Sequence, residues 1–358
     1  MSHWLFRSIM RRRFKLEVLI GILIPMVILY YMIASWSAEV KIPLNDGKQC
    51  NESLGPSIKD DIEKVKKYSF PGVEKYITEL FPHNLPDEQN MPQYPVFVTA
   101  ASASHYTELM DLVYNTTAVR KKYPQIKLVI YDLGFGSSQV KKIQEKCDCE
   151  IRKLVFEAFP DHVKILKGYA WKPIVIQMAA KEHPFVFWMD ASVRFVTTDL
   201  DGQLEDARNL GVIGTKGFGS IASRTHTKTL RFLGEQPCTF KDTMELEATF
   251  IIIYANKLVS EMILKPWVSC ALSLGCLVPD LNTDQYLHCK SHKEPVYFEC
   301  HRFDQSILSI LTYRLYHLNI EKHKMTHTFF RFCKGVDEQW YLPQFLNEMY
   351  IRYNEHCF

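Results

Sequence analysis

Asp190 and Ser192 are the residues of this 358-residue chain whose types and spacing most directly suggest chemistry. They follow five consecutive apolar residues, 185–189, which is typical of a strand buried on both faces of a parallel sheet. A carboxylate at the carboxyl end of such a strand lies where open α/β sheets bind ligands. If the chain turns there, both side-chain oxygens face one diphosphate or one hard divalent cation, which takes oxygen ligands. The competing interpretation is that Asp190 is only a turn residue, because aspartate is common in turns.

Helices and strands alternate before Asp190, and they would position it. The pattern predicts strands at 95–100, 127–131, 149–156 and 185–189 and helices at 107–122, 138–146 and 171–181. Alternation of this kind indicates βαβ units and an α/β fold with a mostly parallel sheet. After Asp190 the pattern is less regular, with predicted strands at 211–214 and 245–254, a helix at 256–264 that stops before Pro266, and a helix after His301.

Residues 18–36 carry no charge and are long enough to cross a bilayer as a helix. Positive residues precede the segment and mixed charges follow it, so the positive-inside rule predicts a cytoplasmic tail at 1–17. We interpret 18–36 as an uncleaved signal anchor rather than a cleaved signal peptide, because its apolar core is long and no convincing cleavage site follows. Residues 37–92 would form a stem and an amino-terminal helix, and 93–358 a lumenal domain.

Composition narrows the classes of function. Lys and Arg total 43 against 40 Asp and Glu, and no basic stripe is present, so the sequence gives no indication of nucleic-acid binding. All 10 cysteines follow the predicted anchor, which indicates disulfides in an oxidising compartment. We expect Cys147 and Cys149 to have different partners, because one residue separates them. Asn51 and Asn115 begin acceptor tripeptides for N-glycosylation.

The layout of a short cytoplasmic tail, an anchor, a stem and an α/β domain resembles that of Golgi type II membrane glycosyltransferases. From about residue 94 to 316 the chain looks like a GT-A (nucleotide-diphospho-sugar transferase) domain, with Asp-Ala-Ser at 190–192 in place of the Asp-x-Asp motif of that superfamily. More closely, the chain resembles an uncharacterised animal family known as a domain of unknown function. The stretches that carry this resemblance are Tyr-Asp-Leu-Gly at 131–134, Tyr-Ala-Trp-Lys-Pro at 169–173, Trp-Met-Asp-Ala-Ser-Val-Arg at 188–194 and Phe-Asp-Gln-Ser at 303–306.

The resemblance implies a Rossmann-like sheet with helices on both faces and a set of roles for site residues. Residues implied to bind the nucleotide sugar are Thr99, Ala101, Ser102, Asp132, Lys172, Asp190 and Ser192. Asp190, Ser192 and His301 would bind a divalent cation, which is expected to be Mn²⁺. Serine in the second motif position is a weaker ligand than a carboxylate for a hard cation, so this departure from the motif weakens the expectation of metal dependence.

Transfer of a sugar from a nucleotide sugar requires positive charge on the leaving diphosphate. An inverting enzyme also requires a carboxylate that takes the proton of the acceptor hydroxyl. Glu247 and Asp304 are the candidates for this base, and Glu245 is chemically equivalent. The resemblance implies a Golgi-resident, single-pass glycosyltransferase that uses a nucleotide sugar, expected to be UDP-linked, and a glycan or glycoprotein acceptor. The alternative is a catalytically inactive GT-A-like lumenal protein that binds a glycan or nucleotide sugar.

Overall fold

The computed structural model of the chain describes residues 57–81, 90–287, 289, 300–325 and 330–332. The predicted cytoplasmic tail, signal anchor and most of the stem lie outside the described residues, as does Asn51. Within the described ranges, no helix has the length and apolar character needed to span a membrane.

The centre of the fold is a seven-stranded sheet, with strands in the order β3-β2-β1-β4-β7-β6-β8 among the described residues. The pairs β3-β2, β2-β1, β1-β4 and β6-β8 are parallel, whereas β7 is antiparallel to both β4 and β6. A separate antiparallel pair joins β5 and β9. The strands are β1 (Val96–Ala101), β2 (Leu128–Asp132), β3 (Glu150–Lys153), β4 (Phe185–Met189), β5 (Val193–Phe195), β6 (Val212–Ser220), β7 (Met244–Tyr254), β8 (Lys324–Met325) and β9 (Phe330–Phe332).

Helices cover both faces of the sheet, which confirms the predicted α/β class. One apolar cluster contains Val186 of β4 with Ile174, Val268 and Ile307 from helices, and the other contains Phe187 with Leu109, Ile143 and Leu204. The helices are α1 (Ile58–Lys66), α2 (Glu74–Leu80), α3 (Tyr106–Lys122), α4 (Ser137–Lys146), α5 (Trp171–Glu182), α6 (Asp201–Leu210), α7 (Thr227–Phe232), α8 (Lys257–Val259), a π-helical segment (Ser260–Leu264), α9 (Lys265–Leu272) and α10 (Asp304–Tyr316).

Two predictions about local structure are wrong. The helix that begins at Lys257 does not stop before Pro266, because a π-helical turn at Ser260–Leu264 precedes α9 and leaves Pro266 in its first turn, where proline is tolerated. Cys147 and Cys149 are bonded to each other rather than to different partners, since the turn brings their Cα atoms to 5.2 Å, within disulfide range. Two further disulfides, Cys270–Cys276 and Cys289–Cys300, lie in the carboxyl-terminal half of the described chain.

A β-bulge interrupts β7 beside the end of β4. Gly214 of β6 lies opposite Ile251, but the next residue, Thr215, lies opposite Glu247. The side-chain alternation therefore shifts, and Leu246 and Ala248 join the apolar cluster that also contains Ile251 and Ile253. The bulge consequently keeps the two glutamates of this segment out of that cluster.

Candidate active site

Asp190 lies in a tight turn directly after β4. Its N–H donates to the carbonyl of Thr249 at 2.9 Å, and its own carbonyl accepts from the N–H of Val193 at 3.0 Å. Arg194 is buried and fixes the turn by donating to the carbonyls of Ala191 and Val193, both at 2.6 Å, and to the carbonyl of Glu108 in α3 at 2.9 Å. The turn is therefore rigid, and the side chain of Asp190 stays 28% exposed.

Lys172, in the first turn of α5, joins Asp190 to Asp304. Its Nζ lies 3.0 Å from Oδ1 of Asp190 and 2.9 Å from Oδ2 of Asp304, the first residue of α10. A third contact, at 3.3 Å, goes to the carbonyl of Ala248 at the bulge of β7. Asp304 is thus an ion-pair partner of Lys172, and no side-chain capping bond is made at the start of α10. Its hydrogen bonds go to Asp190 and to the carbonyl of Ala248, and its contact with Asp304 is an ion pair.

Burial and ion pairing have opposing effects on the pKa values of Lys172 and Asp190. Burial acts to lower the pKa of Lys172, but the two carboxylates outweigh it and hold that pKa above its ordinary value. Burial raises the pKa of Asp190 above its ordinary value, against the opposing effect of Lys172. Trp188 donates its Nε1–H to Oδ1 of Asp190 at 2.9 Å, which fixes the orientation of the carboxylate.

Glu245 and Glu247 lie on β7 before the bulge, and both are almost fully buried. Oε2 of Glu245 accepts from Nε2 of Gln305 at 2.5 Å, and its Oε1 accepts from the N–H of Phe218 at 3.3 Å. Oε2 of Glu247 accepts from the hydroxyl of Thr215 at 3.1 Å. Glu245 is therefore held at both oxygens, whereas the structure shows one bond for Glu247 within the described residues.

Burial raises the pKa of Glu247 to about 7, with further raising contributions from the charges of Glu245 and Asp190. Burial also raises the pKa of Glu245. A carboxyl group with a pKa near 7 is half ionised at neutral pH, which is the range in which a general base is most effective. Of the two glutamates predicted as bases, Glu247 has the electrostatic environment that suits the role.

A cavity of about 80 Å³ opens beside Lys172, Asp190 and Asp304. Tyr169 and Phe303 also line it, and both have positive φ, 53° and 44°, which is costly for residues other than glycine. Such strain tends to occur at functional sites, where surrounding structure holds it in place. The cavity is smaller than the 300–1,000 Å³ that is usual for small-molecule pockets, so in this conformation it admits only part of a ligand.

Arg302 is a residue of this cavity that the sequence analysis missed. Its charge acts to lower the pKa of both Glu245 and Glu247, so it lies within electrostatic range of them. In the part of the chain that the structure describes, no carboxylate forms an ion pair with it. The only signal in the sequence was its place two residues before Asp304.

The other residues predicted to bind the nucleotide sugar lie at the same edge of the sheet but do not line this cavity in its described part. Thr99 and Ala101 are buried in β1, and Ser102 follows them with its hydroxyl 2.9 Å from that of Ser104. Oδ1 of Asp132 accepts from the N–H groups of Gly134 and Phe135 at 2.7 and 2.6 Å, so this carboxylate stabilises the turn after β2. Ser192 is half-buried in the turn after β4. Their roles stay predictions.

His301 does not suit the metal-binding role predicted for it. Nδ1 accepts from the N–H of His226 at 3.2 Å, and Nε2 lies 2.9 Å from the carbonyl of Leu277, to which it donates. Burial lowers the pKa of His301 to about 3, so the ring is neutral and both nitrogens are engaged within the protein. More generally, among the described residues no three His, Cys, Asp or Glu side chains are grouped as a metal site.

Asn115 is buried in the fold, which disfavours the modification predicted for it. The side chain is buried in α3, where Nδ2 donates to the carbonyl of Phe195 at 3.0 Å and Oδ1 accepts from its N–H at 2.6 Å. A glycan on this nitrogen would replace a buried hydrogen bond with a large polar group, so the fold disfavours glycosylation at Asn115, which stays a prediction.

The described fold and site define a mixed α/β protein with a cluster of buried charges at the carboxyl edge of its parallel strands. Comparison with protein families matches residues 76–177 to a family described as "Protein of unknown function (DUF1647)". That segment includes Asp132 and Lys172 and ends before Asp190. None of the curated proteins matches the chain.

Comparison with solved structures finds GT-A glycosyltransferases. Core-mannan synthase A (CmsA/Ktr4) from Aspergillus fumigatus, in a Mn/GDP form, is 12% identical over 65% of this chain and 77% of its own, with a TM-score of 0.37. The mannosyltransferase Ktr4p from S. cerevisiae is 9% identical over 74% of this chain and 76% of its own, with a TM-score of 0.38. Mouse xyloside xylosyltransferase 1 is 14% identical over 62% of this chain and 84% of its own, with a TM-score of 0.36. At these scores the similarity assigns neither activity nor substrate to this chain.

Proposed function

We propose that this protein is a glycosyltransferase that moves a sugar from a nucleotide sugar to a hydroxyl of a glycan or glycoprotein. The observation that carries the proposal is the group of Lys172, Asp190, Asp304 and Arg302 at one cavity, with Glu247, a buried carboxyl group with a pKa of about 7, within electrostatic range of Asp190 and Arg302. A base poised near neutral pH next to positive charges is what displacement of a diphosphate by a hydroxyl requires.

The proposed step is an inverting displacement at the anomeric carbon. The acceptor oxygen forms the new bond to this carbon while the bond from the carbon to the diphosphate oxygen breaks. The diphosphate leaves with the bonding electron pair, and Glu247 takes the proton of the acceptor hydroxyl. Arg302 stabilises the charge that develops on the leaving group.

The donor class and the compartment belong to the same proposal. We take UDP-sugars as the first donors to test and Mn²⁺ as the cation that the sequence predicts. A single-pass type II protein of the Golgi membrane is the proposed setting. The disulfides of the described part support an oxidising compartment. In cells, a glycan on Asn51 that is lost in Asn51→Gln and unaffected by Asn115→Gln would support the topology, and absence of any glycan would count against it.

A test of the activity uses nucleotide release from a panel of nucleotide sugars, measured from pH 5.5 to 8.5. We expect the rate to rise with pH and to level off above about 7, and Glu247→Gln to reduce kcat by about 10²–10⁴ without loss of donor binding. Glu245→Gln is the matched control. Because it removes a negative charge that raises the pKa of Glu247, it should keep activity and shift the inflection to lower pH. Full activity in Glu247→Gln would assign the base elsewhere.

A second function, binding of a nucleotide sugar without turnover, is favoured by two observations. The carboxylate of Asp190 is already engaged by Lys172 and Trp188, and the cavity beside it is small. Donor binding with no release, in the presence of a range of acceptors, would favour this function. A folded protein that binds no nucleotide sugar would exclude both.

A further inference from the structure

The groups expected to hold a divalent cation are occupied by other partners. Asp190 accepts from Lys172 and from Trp188, and both nitrogens of His301 are hydrogen-bonded within the protein. Ser192 contributes a neutral hydroxyl, which is a weak ligand for a hard cation. The donor set therefore does not fit the cation that the sequence predicts.

Lys172 is built into the site as a fixed positive charge. Its Nζ contacts three acceptors that come from the turn after β4, from the bulge of β7 and from the start of α10. The centroids of the Tyr169 and Trp188 rings lie 5.4 and 5.6 Å from Nζ, within the range of cation–π attraction. Its side chain is only 3% exposed, so the ammonium group cannot turn to solvent without leaving the buried carboxylate of Asp304 without its ion-pair partner.

Unlike Lys172, Arg302 forms no ion pair with a carboxylate among the described residues. Its backbone is held by two bonds, because its N–H donates to the carbonyl of Arg224 at 3.0 Å and to the hydroxyl of Ser306 at 3.2 Å. The backbone position of Arg302 at the cavity is thus fixed, and the guanidinium is available to a ligand. Guanidinium groups bind phosphate oxygens in a bidentate manner.

We propose that Lys172, and not a divalent metal ion, is the resident cation of this site, with Asp190 and Asp304 as its counter-ions, and that Arg302 binds the diphosphate of the donor. This inference rests on the proposed function. Lys172 is a positioning residue, because its ammonium group is held within the protein by Asp190, Asp304 and the carbonyl of Ala248. It neutralises two carboxylates that would otherwise repel an anion, and Arg302 makes the contact with the diphosphate.

The first experiment measures Mn²⁺ binding to the full chain in detergent, by electron paramagnetic resonance of the free ion. We expect no stoichiometric site in the wild type and the gain of one Mn²⁺ per chain in Lys172→Ala, because this change releases two facing carboxylates. Lys181→Ala, on the exposed side of the same helix, is the matched control and should behave as the wild type. Stoichiometric Mn²⁺ in the wild type, or no gain in a folded Lys172→Ala, would overturn the inference.

A second measurement is independent of whether Lys172→Ala folds. UDP binding to the wild type should be the same with Mn²⁺ and with a chelator, and Arg302→Ala should weaken it about tenfold, the loss of one charged contact. Loss of UDP binding on chelation, or no effect of Arg302→Ala, would contradict the inference. If UDP does not bind under either condition, the proposed function fails, and the Mn²⁺ experiment still decides whether Lys172 is the resident cation.

Discussion

Glu247 is buried and has a raised pKa. The raised pKa suits the residue to act as a general base, but it lowers the stability of the folded protein at neutral pH. Its pKa in the folded protein is about 7, against an ordinary value of 4.5. Between these values the folded chain keeps a proton that the unfolded chain has released, so the free energy of unfolding falls as pH rises from about 4.5 to 7. The group is therefore kept at a cost to stability, as is common for functional residues.

We predict that Glu247→Gln stabilises the protein at pH 8 and has little effect at pH 5. Glutamine retains an acceptor for the hydroxyl of Thr215, and it removes a buried charge that costs up to about 3 kcal/mol above the folded pKa. Urea unfolding of the two proteins at both pH values measures the difference. The same substitution at Glu145, exposed on α4, is the control. A difference that does not depend on pH would contradict the raised pKa.

At the residue scale, the sequence located the important side chains but not their contacts. Asp190 was predictable because a contiguous apolar strand precedes it, and Lys172 and Asp304 lay in stretches that resemble a family. That all three form one ion-pair group depends on how α5 and α10 pack against β4, which pattern reasoning along the chain does not determine. Arg302 was missed for the same reason, and the assignment of His301 as a ligand ignored its backbone partners.

At the scale of elements, the bulge of β7 and the glycines of β6 together determine where the glutamates lie. A Cβ atom on Gly217 would come within 2.3 Å of Cγ of Glu245, so no other residue fits there without displacing that side chain. The strand 245–254 was predictable from its apolar run, and its antiparallel direction and bulge were not. A contiguous run of isoleucines has no alternation of apolar and polar residues. It therefore does not indicate on which face of the sheet the preceding glutamates lie.

We predict that Gly217→Ala destabilises the protein by about 1–3 kcal/mol, as expected for overpacking. Because Glu245 is displaced, the pH at which activity levels off should also shift. Gly202→Ala, in α6, is the matched control, since its Cβ would have nothing within 4 Å. This change should be neutral or stabilise by up to about 1 kcal/mol, from the helix propensity of alanine. Thermal unfolding of the two variants measures the difference. Equal effects would show that the contact of the new Cβ atom with Glu245 does not destabilise the protein.

At the scale of the whole molecule, the residues at 57–81 are part of the fold rather than a spacer. Val65, Val73 and Leu80 belong to the same apolar cluster as the sheet. Beneath them, Arg314 of α10 forms a buried network in which Nη1 lies 2.7 Å from Oδ1 of Asp61, and Nη2 lies 2.5 Å from Oε2 of Glu235. α1 and α2 therefore complete the same core as the sheet.

We predict that Asp61→Asn destabilises the protein by about 3–5 kcal/mol, because it removes one partner of a buried ion pair and leaves Arg314 undercompensated. Asp60→Asn changes the neighbouring residue on the exposed side of α1, where Asp60 contacts Ser57, and should alter the free energy of unfolding by no more than about 0.5 kcal/mol. Urea unfolding of both variants measures the difference. If the amino-terminal helices were a detachable part of the stem, Asp61→Asn would loosen them without changing the main unfolding transition. A lowered midpoint of that transition in Asp61→Asn alone would place these helices in the cooperative core that supports Lys172 and Asp304.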